Sequence, residues 1–278
     1  MLNRNKRSKI TFLLIIISVF ALCGCKTVHK LRTAQETFNK AAELDNFKAH
    51  NNHFNNITPD NFSATLIETQ NTSKILYYET LESLNSIGES GETTLKNNKL
   101  YGNYLILKGL TLWKLGKNKE AYETIDLAHE NAANLTNRDK NILEIMPSII
   151  ALNEAKQYYT NSSEDFDKNC YNLKKTDNIL SEQNIKTLNN AIEDPKTQLP
   201  LKIYATECKL LTHFYLYKGY KYALKGTQKN CTAKYTGRYN NATATAKQAI
   251  SNLETITKNS TEAQEVIKFW KNKFELNQ

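Results

Sequence analysis

The chain has 278 residues, of which only 9 are glycine and 4 are proline, and its formal net charge is +9 at pH 7. This length allows one sizeable core or a short array of helices. The long segments lack strand-like alternation, so we predict an all-α fold. The sequence has no glycine-rich phosphate loop, Gly-x-Ser-x-Gly elbow, His-Glu-x-x-His pair or paired CxxC. We therefore expect no enzyme, no catalytic residue, no cofactor and no metal site.

The N-terminus has the layout of a secretory signal peptide. Four basic residues precede an apolar run from Ile10 to Leu22, which is shorter than the ~20 residues that span a bilayer. Removal of residues 1–24, which hold four positive charges and no negative ones, lowers the formal net charge from +9 to +5. An exported, mildly basic chain is compatible with anionic membrane or cell-wall surfaces, and we expect no nucleic-acid partner.

The end of this signal, Leu22–Cys25, resembles the lipobox of bacterial lipoproteins, in which a small residue precedes a cysteine that receives a diacylglycerol. Cys25 follows a glycine, whereas Cys23 follows a leucine, so Cys25 is the predicted lipidation site. The resemblance implies a palmitate-bearing lipoprotein anchored to the bacterial cell envelope through Cys25. Lys26 in place of an aspartate favours the outer membrane facing the periplasm, if the organism has one. An ordinary cleaved signal is the alternative.

The stretch Leu100–Leu135 predicts two short helices folded onto each other. Apolar residues recur at helical spacing in its first half, Gly116 ends that helix, and Asn118 can cap the next. Small Gly109 facing small Ala121 would let the two helices approach closely. The apolar stripes are Leu105, Leu107, Leu110, Leu112 and Trp113 in the first helix and Ala121, Tyr122, Ile125 and Ala128 in the second.

This hairpin resembles the tetratricopeptide repeat, which has a small residue in its first helix, a turn glycine, and an alanine, aromatic or aliphatic, alanine motif in its second. The residues at matching offsets are Gly109, Gly116, Ala121, Ile125 and Ala128, whereas Leu105, Leu112 and Ala133 depart from the pattern. Echoes of the motif occur at Ala34, Phe38 and Ala41 and at Ala246, Ile250 and Leu253. The resemblance implies antiparallel helical hairpins stacked as a degenerate array. An irregular α-helical bundle is the alternative.

Further helices are predicted on both sides of the hairpin. They are Leu31–Phe47, one long or two shorter helices from Asp60 to Gly88 followed by a turn at Glu89–Gly91, a helix capped by Thr136 or Asn137 and bent or interrupted by Pro147, and two shorter helices within 161–194. Between the first two lies a polar linker, Lys48–Asn61. Its His50 and His53 would need a third ligand such as Asp45 or Asp60 to hold a metal, so we interpret them as solvated loop residues.

The C-terminal part contains the densest aromatic cluster. A helix from Leu201 to about Leu224, which Gly219 could divide, carries Phe214, Tyr215, Tyr217, Tyr220 and Tyr222. These rings either line a groove for a peptide, glycan or amphiphile or pack into the core, and core packing is the commoner outcome. A basic loop is predicted at Lys225–Tyr239. Two last helices follow, the second of which, with Trp270 and Phe274, would cap the array.

These patterns divide the chain into a signal peptide (1–24), a lipid-anchored N-terminus with an amphipathic helix and linker (25–60), and a helical domain (61–278) with a soft internal boundary near 195–200. Among the remaining cysteines, Cys170, Cys208 and Cys231, we weakly favour a Cys208–Cys231 pair, although Cys208 also fits a free buried thiol. His213 near Cys208 is too slight a basis for a nucleophile.

Two functions fit this interpretation. Tetratricopeptide proteins bind other proteins in a groove lined by the first helix of each unit, which implies a membrane-anchored, non-catalytic scaffold with an envelope protein as partner. The resemblance places Asn103, Ile106, Leu110 and Trp113 in that groove, and the aromatic cluster adds Tyr215 and Tyr217. The alternative is a solute-binding accessory similar to the T component of TRAP-type transporters. An open, partly charged groove would favour the scaffold, and an enclosed apolar cavity would favour the accessory.

Overall fold

The computed structural model describes residues 26–45, 59–160, 175–180, 182–224, 229–256, 261–274 and 276. Cys25, His50, His53 and Cys170, and the Cys231 side chain, lie outside this description. The described secondary structure is helical throughout, which confirms the predicted all-α fold. The helices are α1 (26–45), α2 (Pro59–Asn85), α3 (Gly88–Asn97), α4 (Tyr101–Lys114), α5 (Asn118–Glu130), α6 (Asn137–Thr160), α7 (175–179), α8 (Glu182–Glu193), α9 (Leu199–Leu224), α10 (Lys229–Ile256) and α11 (Thr261–Lys273), with a 3-10 turn at Ala132–Asn134.

The helices pack mainly on their neighbours along the chain. Three pairs, α4 with α5, α6 with α8 and α9 with α10, share large contacts. The second helix of each pair also packs on the next helix along the chain, so that α5 contacts α6, α8 contacts α9 and α10 contacts α11. The first helices contact one another as well, α4 with α6 and α6 with α9. Nearest-neighbour contacts of this kind are typical of an array of stacked hairpins.

The α4–α5 hairpin forms as its sequence predicts. Gly116 adopts φ +75°, a left-handed conformation that glycine takes without strain, and ends α4. A Cβ at Gly109 would lie 3.2 Å from both Ile125 Cγ1 and Met146 Cε, so the missing side chain allows α5 and α6 to approach α4 closely. Ala121 is completely buried at the same crossing. Small residues therefore set the spacing of this hairpin.

Capping differs between the two helices that follow α4. Asn118 makes no capping hydrogen bond, contrary to expectation, because its buried side chain accepts a hydrogen bond from Asn153 Nδ2 of α6 at 3.2 Å. Thr136 does cap α6, as predicted, since its Oγ1 accepts a hydrogen bond from the Asp139 N–H at 3.2 Å. Asn118 is therefore the first residue of α5, and its side chain joins α5 to α6.

Two predicted irregular segments are helical, and those predictions were wrong. The expected turn at Glu89–Gly91 lies within α3, because Gly88 makes the whole turn with φ +64° and the helix resumes at once. The expected basic loop at Lys225–Tyr239 is helical from Lys229 onward. There α10 packs along α9, and tertiary packing overrides a weak local preference.

Two expected helix breakers leave their helices continuous. Pro147 lies inside α6, which runs without interruption from Asn137 to Thr160, and its carbonyl accepts a hydrogen bond from the Tyr122 hydroxyl at 3.3 Å. Gly219 likewise lies within the unbroken helix α9. Neither residue therefore ends its helix.

Helix α1 is joined to the array by a ring contact and a polar cluster. The Phe38 and Tyr77 ring centroids lie 5.3 Å apart. The Tyr77 hydroxyl and Lys114 Nζ both donate to Asp45 Oδ2, at 2.9 and 3.0 Å. Burial alone would raise the pKa of Asp45. The charge of Lys114 and the hydrogen bonds that Asp45 accepts outweigh that effect, so the pKa of Asp45 is lowered. The end of α1 is thus held on both α2 and α4.

The buried apolar residues form two cores that share α6. One face of α6, with Leu143, Met146 and Ile150, belongs to the N-terminal core, which otherwise comes from α1–α5. Another face, with Ile145, Ile149 and Leu152, belongs to the C-terminal core, which otherwise comes from residues 180–274. Trp113 of α4 packs against both cores. None of the helices in the described part is both long and apolar enough to cross a membrane.

Candidate binding cleft

A cleft of about 370 Å³ opens on the C-terminal core, and Trp113, which packs against both cores, forms part of its lining. Four helices line it, and its shape is intermediate between a closed cavity and a flat surface. The lining residues are Trp113 of α4; Ile149, Leu152 and Asn153 of α6; Tyr204, Glu207, Cys208, Leu211, Phe214 and Tyr215 of α9; and Phe269, Trp270 and Lys273 of α11. We refer to this set as the aromatic cleft, since six of its thirteen residues carry aromatic rings.

Helix α9 supplies the longest wall. Tyr204, Cys208, Leu211 and Tyr215 follow one another at intervals of four, three and four residues, which places them on one helical stripe. Tyr204 at the start of this stripe keeps 37% of its surface exposed, whereas Tyr215 at its end keeps 7%. The stripe therefore runs from the open side of the cleft towards the core.

The other end of the cleft is closed by aromatic packing between α9 and α11. The Phe214 ring lies edge-on to Trp270 and Phe274, with centroid distances of 6.1 and 5.8 Å. Tyr217 contacts Phe274 at 5.5 Å, again with an edge geometry. Such contacts stabilise by about 0.5–1.5 kcal/mol each beyond the area they bury. These contacts hold α11 against α9, so that α11 forms the wall of the cleft that carries Phe269 and Lys273.

The structure brings together only two of the six residues expected in a groove. Trp113 and Tyr215 both line the aromatic cleft. Tyr217, expected beside them, is packed into the C-terminal core with 2% exposure. On α4, Ile106 is buried in the N-terminal core and Leu110 packs against that core. Asn103 lies in neither set, and its Nδ2 donates to Asp139 Oδ2 at 3.0 Å.

Sequence reasoning missed Tyr204 and Glu207 of α9 and the wall formed by α11. A signal was present for α9, because the stripe from Tyr204 to Tyr215 has strict helical spacing, but the same spacing also describes an ordinary core face. No local signal marks Phe269 or Lys273. Their position depends on how α11 packs against α9.

The charged groups of the cleft are few and differ in their surroundings. Glu207 is half-buried, desolvation raises its pKa, and it has no hydrogen bond or ion pair with any described residue. Lys273 is exposed, and its Nζ lies 5.2 Å from the centre of the Phe269 ring. Beside the cleft, Lys114 Nζ lies 4.8 Å from the Trp113 ring while pairing with Asp45. The interior of the cleft therefore presents an uncompensated carboxyl group.

Cys208 lines the cleft as a neutral thiol. It is a free cysteine, so the favoured pairing with Cys231 is not made. Burial raises its pKa to about 12, and a hydrogen bond to the Tyr204 hydroxyl offsets only part of that rise. Because the thiolate is the reactive form, this residue is not suited to nucleophilic chemistry near neutral pH.

His213 lies on α9 outside the cleft lining. It is 5% exposed, and neither ring nitrogen has a hydrogen-bond partner. Burial, with a smaller contribution from the nearby Lys209, lowers its pKa to about 4. A neutral, isolated imidazole at this position offers no acid–base pairing with Cys208.

Within the described residues, no group of three or more His, Cys, Asp or Glu side chains could hold a metal ion. The aromatic cleft is therefore described by its shape, its rings and its single interior carboxyl group, all of which suit binding better than covalent chemistry. Comparison of the chain with protein-family models, with curated proteins and with solved structures finds no match in any of the three.

Proposed function

We propose that this protein is a lipid-anchored helical scaffold of the bacterial cell envelope and that its aromatic cleft docks an apolar segment of a partner protein. The observation that carries the proposal is the make-up of the cleft. The first helices of three successive pairs, α4, α6 and α9, contribute to one concave surface. In proteins built from helical hairpins, a concave surface of this kind is where partner segments bind.

The chemistry of the cleft supports a docking role. Interface centres are rich in tryptophan and tyrosine and poor in charge, and the cleft carries both tryptophans of the chain, Trp113 and Trp270. Tyr204, which keeps 37% of its surface exposed, lies beside them in the lining. An apolar side chain that entered the cleft would be surrounded by aromatic walls on three helices.

The proposed anchor fits the position of α1. Cys25, the expected lipidation site, would directly precede residue 26, the first described residue of this helix. Since Asp45 holds the end of α1 on α2 and α4 through Tyr77 and Lys114, an acylated Cys25 would tether the whole array close to a membrane surface. The resemblance to lipoproteins and to tetratricopeptide repeats supports this part of the proposal.

In-cell photocrosslinking tests the docking role. A photoreactive phenylalanine analogue replaces Tyr204, which lines the cleft, or Tyr78, which is 48% exposed on α2 and serves as a matched control. We expect one reproducible envelope-protein adduct from position 204 and none from position 78. The Cys25→Ser variant should lose that adduct if lipidation places the protein beside its partner. Equal labelling from both positions would contradict docking at the cleft.

A second candidate function is a solute-binding accessory similar to the T component of TRAP-type transporters. The volume of the cleft favours it, because 370 Å³ lies in the ~300–1,000 Å³ range of small-molecule sites. The partial opening of the cleft favours the scaffold. Native mass spectrometry of the purified protein distinguishes the two functions, since an accessory should carry a small molecule or bind a solute-binding protein.

A further inference from the structure

We propose that the partner segment carries a basic side chain between apolar ones and that Glu207 receives the cationic group among the aromatic rings of the cleft. This inference rests on the proposed docking function and adds a charge requirement to it. The occupant of the cleft is a segment of a partner protein that carries a lysine-like or arginine-like group.

The first argument is the charge balance of the cleft. Glu207 is the only acidic residue among the thirteen that line it, and no described residue pairs with it. A half-buried carboxylate has lost part of its hydration, and a cation within reach would compensate that loss. Lys273, the one basic lining residue, makes no ion pair with Glu207. The carboxylate is thus available to an incoming charge.

The second argument is the accessibility of the ring faces. Aromatic faces attract cations within about 6 Å of the ring centre. Lysines already use two rings of the cleft in this way, Lys114 over Trp113 at 4.8 Å and Lys273 over Phe269 at 5.2 Å. Tyr204, three residues before Glu207 on α9, is 37% exposed while burial raises the pKa of its hydroxyl, and neither lysine lies over its ring. A cation beside Glu207 would meet both a carboxylate and an aromatic ring.

The two lysines near the cleft do not cancel this preference. The charge of Lys114 is matched by Asp45 at 3.0 Å. Lys273 is exposed, so water screens its repulsion of another cation, whereas the half-buried Glu207 is screened less. The interior of the cleft therefore attracts a cation more strongly than its edge repels one.

A matched peptide series tests the inference. Three acetylated and amidated pentapeptides share the frame Ala-Leu-X-Leu-Ala, with lysine, norleucine or glutamate at X, so that norleucine keeps the shape of the lysine stem without its charge. Binding to the purified protein is followed by intrinsic tryptophan emission at pH 8. Both tryptophans of the chain line the cleft, so the signal reports on this site. We expect the lysine peptide to bind roughly tenfold more tightly than the norleucine peptide, and the glutamate peptide to bind most weakly.

Variants assign the preference to its residue. Glu207→Gln should remove most of the preference for lysine over norleucine, because the cation then keeps only its contact with an aromatic ring. Circular dichroism and the tryptophan emission of the unliganded variant check that the cleft is intact. Glu123→Gln removes an exposed acid on α5 and should change nothing. Lys273→Glu should raise the preference for lysine, which tests the same charge argument without altering Glu207.

Each outcome separates the two proposals. Equal affinity of the lysine and norleucine peptides for the unaltered protein would overturn the charge requirement and leave an apolar docking site in place. Survival of the lysine preference in Glu207→Gln would overturn the role of this residue. If no peptide changes the tryptophan emission, both the charge requirement and docking at the cleft are wrong.

Discussion

The N-terminal and C-terminal cores both bury alanines and aromatic rings, but their polar groups are arranged differently. At the α4 crossings of the N-terminal core, Gly109 and Ala121 let the helices meet closely, and polar groups such as Asp45 and Tyr77 are paired. The C-terminal core is held by large rings, and its polar groups His213 and Glu207 have no described partner. The cleft opens among the rings of the C-terminal core and beside the unpaired Glu207, away from the paired polar groups of the N-terminal core.

The largest expected effect comes from removing a ring that closes the cleft. Phe274→Ala removes contacts with Phe214, Tyr217 and Trp270 and should lower the free energy of unfolding by about 3–5 kcal/mol. Because Trp270 loses a neighbour, its emission in the folded state should also change. Urea unfolding followed by circular dichroism, together with the emission spectrum of the folded protein, measures both effects.

A matched change in the N-terminal core serves as the control. Ile125→Ala removes a side chain that is 1% exposed and should cost about 2–5 kcal/mol, without altering the binding of the peptides described above. If Ile125→Ala disturbs peptide binding as much as Phe274→Ala does, the two cores are not separate in the way their packing indicates.

The second effect is a dependence of stability on pH that His213 confers on the C-terminal core. Its pKa is about 4 in the folded protein against an ordinary value of 6.5, so the unfolded chain binds the proton more readily between these values. The stability that the neutral imidazole contributes is present above pH 6.5 and is lost as the pH falls towards 4. The loss should reach about 3 kcal/mol.

Urea unfolding at a series of pH values, carried out on the unaltered protein and on His213→Leu, isolates this contribution. Other groups titrate in the same range, among them Glu207, whose raised pKa acts in the opposite direction. The difference between the two proteins removes these shared contributions. If the two stability curves run parallel from pH 7 to pH 4, the imidazole is not responsible.

Features that depend on local spacing could be predicted from the sequence, and features that depend on packing between helices could not. The α4–α5 hairpin was predicted because Gly109, Gly116 and Ala121 act through local spacing. The start of α10 was missed because the polar sequence of 225–239 locally favours a loop, whereas the contact of α10 as a whole with α9 is not recorded in any local pattern. Similarly, Trp113 and Tyr215 were identified as groove residues, whereas Glu207 was not, since its importance comes from the helices that surround it and desolvate it.

The residues taken from the resemblance to tetratricopeptide repeats show the limit of a family pattern. Ile106 is buried and Asn103 pairs with Asp139, so neither reaches the cleft. The pattern assumes a regular repeat. Here one wall of the cleft comes from α11, a helix that belongs to none of the pairs α4–α5, α6–α8 and α9–α10. The irregular end of the array, and not its best-matched unit, shapes the candidate site.

The smallest expected effects concern two glycines of α4, Gly102 and Gly109, that lie close to neighbouring residues. A Cβ at Gly102 would lie 2.9 Å from the Asn131 carbonyl oxygen, a backbone atom that cannot move aside, so Gly102→Ala should lower the free energy of unfolding by about 1–3 kcal/mol. A Cβ at Gly109 would lie 3.2 Å from Ile125 Cγ1 and Met146 Cε, which are side-chain atoms, and the unbranched Met146 side chain can adjust to it. The gain of about 1 kcal/mol in helix propensity should offset most of that crowding, so Gly109→Ala should be nearly neutral. Thermal and urea unfolding of the two variants measure the difference. A larger loss for Gly109→Ala than for Gly102→Ala would mean that the side chains at the α4–α5–α6 crossing are held as rigidly as backbone.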